Sequence, residues 1–330
     1  MNDIQSPPRR RAGGRIAFGA VALVAVAGLL LAWPRIADLF RGSKAERSPS
    51  SPSESAPDDN TPLGKVQKAI NARCRKGGVV QLSGTYRTDD TVSIEGCRNL
   101  TIKGPATFDG SNRNRAREAR HVSIRNSQDI VVEDITVLGG RCVRPCQSDD
   151  GGLAANERQH GFEIAASSNV ELRRVTARNV WGDGVYVTSK TFADQVEKAP
   201  TQIAVRDSYI DNSGRQGIAV AGVDGMVVER TTVRLANRSV FDFEAEAGGA
   251  KDFTLRDSHI VEPDNATVNV SCKKGPDGEM LNKGPFVLVG NRVYGDRLKV
   301  NPYNCDLPQG TVVLENNQGS LPLDQAPVRP

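Results

Sequence analysis

Residues 170–187 read VELRRVTARNVWGDGVYV, and residues 203–220 read IAVRDSYIDNSGRQGIAV. Each stretch opens and closes on an apolar-x-apolar triplet. Val170-x-Leu172 is answered by Val185-x-Val187, and Ile203-x-Val205 by Ile218-x-Val220, both at an offset of 15 residues. The same offset joins Met226-x-Val228 to Phe241-x-Phe243 and Phe253-x-Leu255 to Val268-x-Val270. Weaker copies extend the pattern, with Ile130-x-Val132 and Phe162-x-Ile164 upstream and Phe286-x-Leu288 and Leu298-x-Val300 downstream. Such a triplet is the period of a strand with one buried face. Its return every 23 to 40 residues means stacked units, each burying its face against its neighbours. The fold class expected is all-β: a parallel β-helix with two or three short strands per coil. Its hand should be right, as crossovers between parallel strands are.

The chain has 330 residues, of which 38% are hydrophobic, 5% aromatic and 32 are glycine. Few aromatics with many Val, Ile, Thr, Asn and Gly suit stacked coils better than a globular enzyme core. The net charge of +4 is small, and much of the positive charge lies near the N-terminal apolar run. No nucleic-acid footprint follows from it.

That run is Ile16 to Trp33, eighteen apolar or small residues without a charge, enough to nearly span a bilayer as helix. Arg9, Arg10, Arg11 and Arg15 precede it and favour a cytoplasmic N-terminus. We therefore expect a cytoplasmic tail over 1–15 and a transmembrane signal anchor over 16–37. A cleaved signal peptide is the competing reading, but its candidate cleavage triplet Ala25-Val26-Ala27 lies inside the apolar run. Residues 38–62 are rich in Ser, Pro, Asp and Glu and should form an extended, disordered linker. The β-helix domain should occupy 63–318 and a loosely held tail 319–330. The localisation expected is a single-pass cell-membrane protein with its β-helix outside the cytoplasm.

All six cysteines follow the apolar run, and an even number in an exported region reads as disulfides. Sequence order and coil geometry suggest Cys74–Cys97, Cys142–Cys146 and Cys272–Cys305. A metal site is disfavoured, because Cys142-x3-Cys146 has no second close pair to complete a tetrahedron. No metal or other cofactor is expected.

Val66, Ala69 and Ile70 sit at helical spacing before Cys74, so a short amphipathic helix should cap the open end of the first coil. After it comes Gly77-Gly78-Val79-Val80-Gln81-Leu82-Ser83-Gly84-Thr85-Tyr86 and a strand leading to Leu100-Thr101-Ile102. This cap and the coils together resemble the pectate-lyase-like superfamily from about Leu63 to Gln318. The resemblance implies the right-handed parallel β-helix, in a superfamily of hydrolases, lyases, epimerases and proteins of unknown role. Polygalacturonase-like members carry an Asn-Thr-Asp, an Asp-Asp, a His-Gly and an Arg-Ile-Lys on successive coils. This chain has Gly182-Asp183-Gly184 and Arg215-Gln216-Gly217 instead, so that mechanism does not carry over.

In the second triplet of each coil the apolar residues point inward and the residue between them points out. Coil by coil the outward positions are Ser123, Glu163, Tyr186, Ala219, Asp242, Asn269 and Lys299. One row further back stand Arg120, His160, Asp183, Gln216 and Ser239. Gly184, Gly217, Ala219 and Ala221 should leave a shallow trough flanked by carboxylates. Asp183, Asp242 and Glu244 form the expected acid/base set, since two carboxyl groups about 6.5–9.5 Å apart leave room for a catalytic water. Tyr186, Arg215, Gln216, Lys299 and Glu163 are expected to position substrate. Two functions compete. One is an enzyme on polysaccharide or cell-envelope glycan, a glycoside hydrolase before a polysaccharide lyase. The other is a non-catalytic glycan-binding or structural surface protein. Trp181 could be a sugar platform or a turn aromatic, and Asp149 and Asp150 read as solvated loop charges.

Overall fold

The computed structural model describes residues 61–327 except 89, 112–119, 142–157, 190–197, 246–247, 263–266 and 304–305. The expected cytoplasmic tail, membrane anchor and linker lie outside the described residues, as do Cys142, Cys146, Cys305, Asp149 and Asp150. Among the described residues no helix is long and apolar enough to cross a membrane.

Every named strand pairing is parallel, and the strands fall into one sheet of 16 strands and one of 8. The expected coils are there, with two or three strands in each. Ser168–Arg173, Thr176–Arg178 and Val185–Thr188 make one coil, and Thr201–Arg206, Tyr209–Asp211 and Ile218–Val220 make the next. First strands and middle strands stack in the larger sheet, third strands in the smaller. The apolar triplets align as their spacing requires: Val170 over Ile203, Met226, Phe253 and Phe286, and Val185 over Ile218, Phe241 and Val268. These residues are buried in a single apolar column. Phe243, Phe253 and Phe286 thicken it near the C-terminal end, with Phe243 and Phe286 stacked at 4.2 Å.

One expected register is corrected. Leu298-x-Val300 is not the partner of Val268-x-Val270; Val300 pairs with Val268 and Pro302 with Val270. Lys299 therefore stands beside Thr267, and the residue over Asn269 is Asn301.

Pro62–Cys74 is the capping helix. Thr61 Oγ1 accepts from the Gly64 N–H at 2.9 Å, and a proline opens the first turn, where its missing N–H costs nothing. Leu63, Val66 and Ile70 face the core. Gln67 imitates a strand, donating to Ser93 O at 2.7 Å and accepting from Ser93 N at 2.9 Å. This satisfies an edge that would otherwise invite another chain. Cys74 is disulfide-bonded to Cys97. Cys272 is disulfide-bonded too.

Turns between first and middle strands place Asp134, Arg174, Asp207, Arg230 and Asp257 at left-handed φ of 47 to 57°. Alternating signs bring Arg174 Nε to Asp134 Oδ1 at 2.7 Å and Arg230 Nε to Asp207 Oδ1 at 2.6 Å. Each pair is exposed and worth little alone. Beside them a column of Ser208, Thr231, Ser258, Asn291 and Asn317, buried except at its half-buried last member, accepts backbone N–H bonds from one coil to the next. Asn212 donates to Asn179 at 2.8 Å, the stacked asparagine pair that their equal places in successive coils predict.

Candidate functional site

The third-strand sheet and the corner leading into it carry the polar residues that the sequence singles out. Along the strands, Ser123, Glu163, Tyr186, Ala219, Asp242 and Asn269 fall in one row. At the corner, Gly161 N donates to Asp183 O, Gly184 N to Gln216 O and Gly217 N to Ser239 O. These bonds, with His121 N donating to His160 O, stack Arg120, His160, Asp183, Gln216 and Ser239 in a second row.

Three linked clusters follow along the helix. In the first, Glu163 accepts from Arg120 Nε at 3.0 Å, Ser123 Oγ at 2.6 Å and Arg125 Nη2 at 2.9 Å. Glu163 is fully buried. Burial opposes its charge, yet Arg120, Arg125 and His160 outweigh burial and hold its carboxyl below the ordinary range. Its oxygens are spoken for, so it holds the wall together and does not reach a substrate.

The second cluster is built on Asp183, which has 0% exposure. Its Oδ1 accepts from Gln216 N at 3.0 Å, and Oδ2 lies 3.5 Å from Arg215 Nη1. His160 Nδ1 lies 3.1 Å from both the Asp183 backbone nitrogen and Oδ2. One ring nitrogen cannot serve both at once: unprotonated it accepts from the N–H, and protonated it donates to the carboxylate. Burial would raise Asp183, but Arg215 and His160 pull it below the usual carboxylate range. The His160 ring also stacks on Tyr186 at 4.5 Å.

The third cluster reaches solvent. Arg215 Nη2 donates to Glu244 Oε1 at 3.0 Å, and Gln216 Nε2 donates to Asp242 Oδ2 at 2.8 Å. Arg215 thus clamps Asp183 and Glu244 in one geometry, while Gln216 joins the Asp183 row to Asp242. The three carboxylates expected as a set are brought together through these two side chains. Burial pushes the Asp242 carboxyl up to about 6; the Gln216 hydrogen bond opposes this and the Asp183 charge adds to it. The Glu244 side chain is 26% exposed.

Three expectations change. The glycine trough does not exist, because Gly184 and Gly217 face the core. A Cβ on Gly184 would sit 2.2 Å from Ile210 Cγ2, and one on Gly217 2.3 Å from Val233 Cγ1. Ala219 and Ala221 are buried with Tyr186 in a small apolar cluster of their own. Lys299 leaves the row and pairs with Asp296. Trp181 is buried and offers no platform. Among the described residues no group of three His, Cys, Asp or Glu is placed to hold a metal ion. Sequence reasoning missed Arg120 and Arg125 as partners of Glu163, and Arg238, whose charge acts on Asp242. The signal for the first two was their spacing from Ser123 in the coil below Glu163.

No protein-family model matches the chain, and no curated protein matches it by sequence. Solved structures do. Escherichia coli YbhC superposes with a TM-score of 0.51 at 14% identity, covering 86% of this chain and 90% of that one. An alginate lyase from Paenibacillus sp. str. FPU-7 gives 0.48 at 15%, covering 78% and 95%. The Streptococcus pneumoniae surface protein and adhesin PfbA gives 0.35 at 11%, covering 78% and 93%. At such identity the YbhC likeness concerns the fold alone.

Proposed function

We propose that the chain is a polysaccharide-acting β-helix protein, a glycoside hydrolase with Asp242 as proton donor and Glu244 as water-activating base. One observation carries this reading. Asp242 is an outward carboxyl raised to about 6, two positions from Glu244, which accepts from an arginine and reaches solvent. An acid titrating near working pH is a competent proton donor. Asp242 lies on the strand Phe241–Phe243 and Glu244 is the first residue past its end; alternate residues of extended backbone lie about 6.6 Å apart, within the spacing at which a water fits between two carboxyl groups. Asp183 serves this pair by fixing Arg215, and Gln216 by orienting Asp242. Lyase chemistry through Arg215 is disfavoured, since its guanidinium is always charged and holds two carboxylates. In the same reading the coil is right-handed and pectate-lyase-like, and residues 16–37 anchor it outside the cytoplasm.

Asp242→Asn tests the assignment on a panel of polysaccharides. Loss of roughly 10²–10⁴ in rate is expected for a general acid; turnover equal to the parent's would remove Asp242 from the mechanism. NMR of the fresh product should show inverted anomeric configuration. A second reading, a non-catalytic glycan-binding or structural module, is favoured by the complete enclosure of Glu163 and Asp183 in ion pairs. Binding on a glycan array without new reducing ends would select it.

A further inference from the structure

The capping helix and the turn after it, Pro62 to Lys76, carry Lys65, Lys68, Arg73, Arg75 and Lys76 and no acid. Leu63, Val66, Ile70 and Cys74 cover the core. At about 3.6 residues per turn, Lys65, Lys68, Arg75 and Lys76 fall on the opposite face. All these cations are exposed, and among the described residues none has an ion-pair partner. Helix stability explains only part of the pattern. Arg73, Arg75 and Lys76 complement the C-terminal end of the helix dipole. Lys65 closes a first turn that holds no acid, and Lys68, three positions on, repels it with no acid within a turn to compensate. On the first coil Arg87 and Arg98 are exposed as well. Of the described acids there, Glu95 is exposed, while Asp90 and Asp109 are half-buried, Asp109 beside Arg87. Lys103 is paired with Glu133. The opposite end has the other sign: from Asp306 to Pro327 the chain holds Asp306, Glu315 and Asp324 and no cation. The coil before it carries Arg292, Arg297 and Lys299 against Asp296.

We propose that this cationic end face docks on an anionic phospholipid surface, that of the membrane in which residues 16–37 are anchored. The proposal rests on that anchoring for its choice of partner. Residues 38–62 join the apolar run to the helix, and a polar linker of that length reaches about 30 Å. The cationic face is therefore tethered close to the lipid, whereas the acidic end is the far one. Each Lys or Arg near an anionic bilayer adds to the attraction, which fades within a Debye length. Cations gathered on one helix face act together there, and scattered ones do not. Docking by this end directs the solenoid axis away from the lipid. Five rungs separate Val92–Glu95 from Phe241–Phe243, so Asp242 is held about 24 Å further out than the first rung.

The test uses the full chain in lipid nanodiscs, either of phosphatidylcholine or of an equal mixture with phosphatidylglycerol. An amine-reactive reagent labels the lysines, and mass spectrometry compares Lys65, Lys68 and Lys76 with Lys273 and Lys283, which are exposed on later coils. The three cap lysines should label several-fold more slowly in the anionic discs, with Lys273 and Lys283 unchanged. High salt, which shortens the Debye length to about 3 Å, should abolish the difference. Lys68→Gln with Arg75→Gln should weaken the protection of Lys65 and Lys76 roughly fivefold for each charge removed. Glutamine keeps the helix propensity, an unchanged melting temperature will show that the fold is intact, and the salt series needs no substitution. If the chain stays on both discs and the cap lysines label equally in both, the anchor stands and the docking face falls. If it elutes free of the neutral discs but is held by the anionic ones in a salt-sensitive way, the face stands and the anchor falls. Protection that is equal in neutral discs and lost in high salt would give the face to the acids of the linker or to a second copy, and would overturn the proposal.

Discussion

Asp242 carries an electrostatic penalty that a structural residue would not need. Its carboxyl is raised from 3.8 to about 6 by burial. In that interval the folded state holds a proton that the unfolded state has released, so stability falls as pH rises from about 4 to 6. Asp242→Asn should therefore stabilise the chain near pH 7 by about 1–2 kcal/mol, discounting for its partial exposure, and by much less at pH 4. Thermal melts at the two pH values check this; equal shifts at both would show that the carboxyl is not raised. Asp183 is the opposite case. Its carboxyl is depressed, so its contribution is present above the unfolded value and is lost as pH falls through the depressed one. Asp183→Asn leaves Arg215 and His160 facing an uncharged amide and should cost about 3–5 kcal/mol in denaturant midpoints. The sequence placed both residues on the right wall. It could not show that one is sealed and the other open, because burial depends on what neighbouring coils lay over each.

Middle strands show why an element can be invisible in sequence and still decide packing. Thr176–Arg178, Tyr209–Asp211 and Thr232–Arg234 each send one apolar residue inward, Ala177, Ile210 and Val233. A single residue has no period, so nothing in the sequence announces the strand. Yet these residues occupy the space in front of the glycine column, as Gly161, Gly184 and Gly217 meet Ala177, Ile210 and Val233 in turn. Glycines that suggest an open groove are a core fit. Gly184→Ala and Gly217→Ala should each cost about 1–3 kcal/mol or more through overpacking, since Gly217 O and Val240 O also stand within 2.8 Å of the new methyl groups. Chemical denaturation would measure it, and a neutral result would mean the turn relaxes freely.

At the scale of the solenoid, stability should vary along the axis, because each coil touches only its neighbours. The helix, Gln67 and the Cys74–Cys97 bridge close the N-terminal end. The last coil, Val312–Glu315 and Gln318–Leu321, leaves Leu314 half exposed. Native-state hydrogen exchange should find the coils from Val170 to Val270 most protected and the last coil least. Replacing Cys74 and Cys97 together by serine should cost about 2–4 kcal/mol and move the first coil into the weakly protected class. Uniform protection along the axis would contradict this reading.

The repeat of apolar pairs was enough to determine a parallel solenoid and the stacking of its rungs, because a buried face admits no one-residue slip. It also determined which side chains share the outer wall up to Asn269. At the strand Lys299–Tyr303 the rule misled: Leu298-x-Val300 has the better pattern, but Val300 and Pro302 make the pairing. Tertiary structure alone decided which part of that wall is covered, which carboxylates are sealed by arginines and which remain reachable. Those outcomes depend on contacts between residues 26 to 43 positions apart, and no local spacing encodes the solvent left between them.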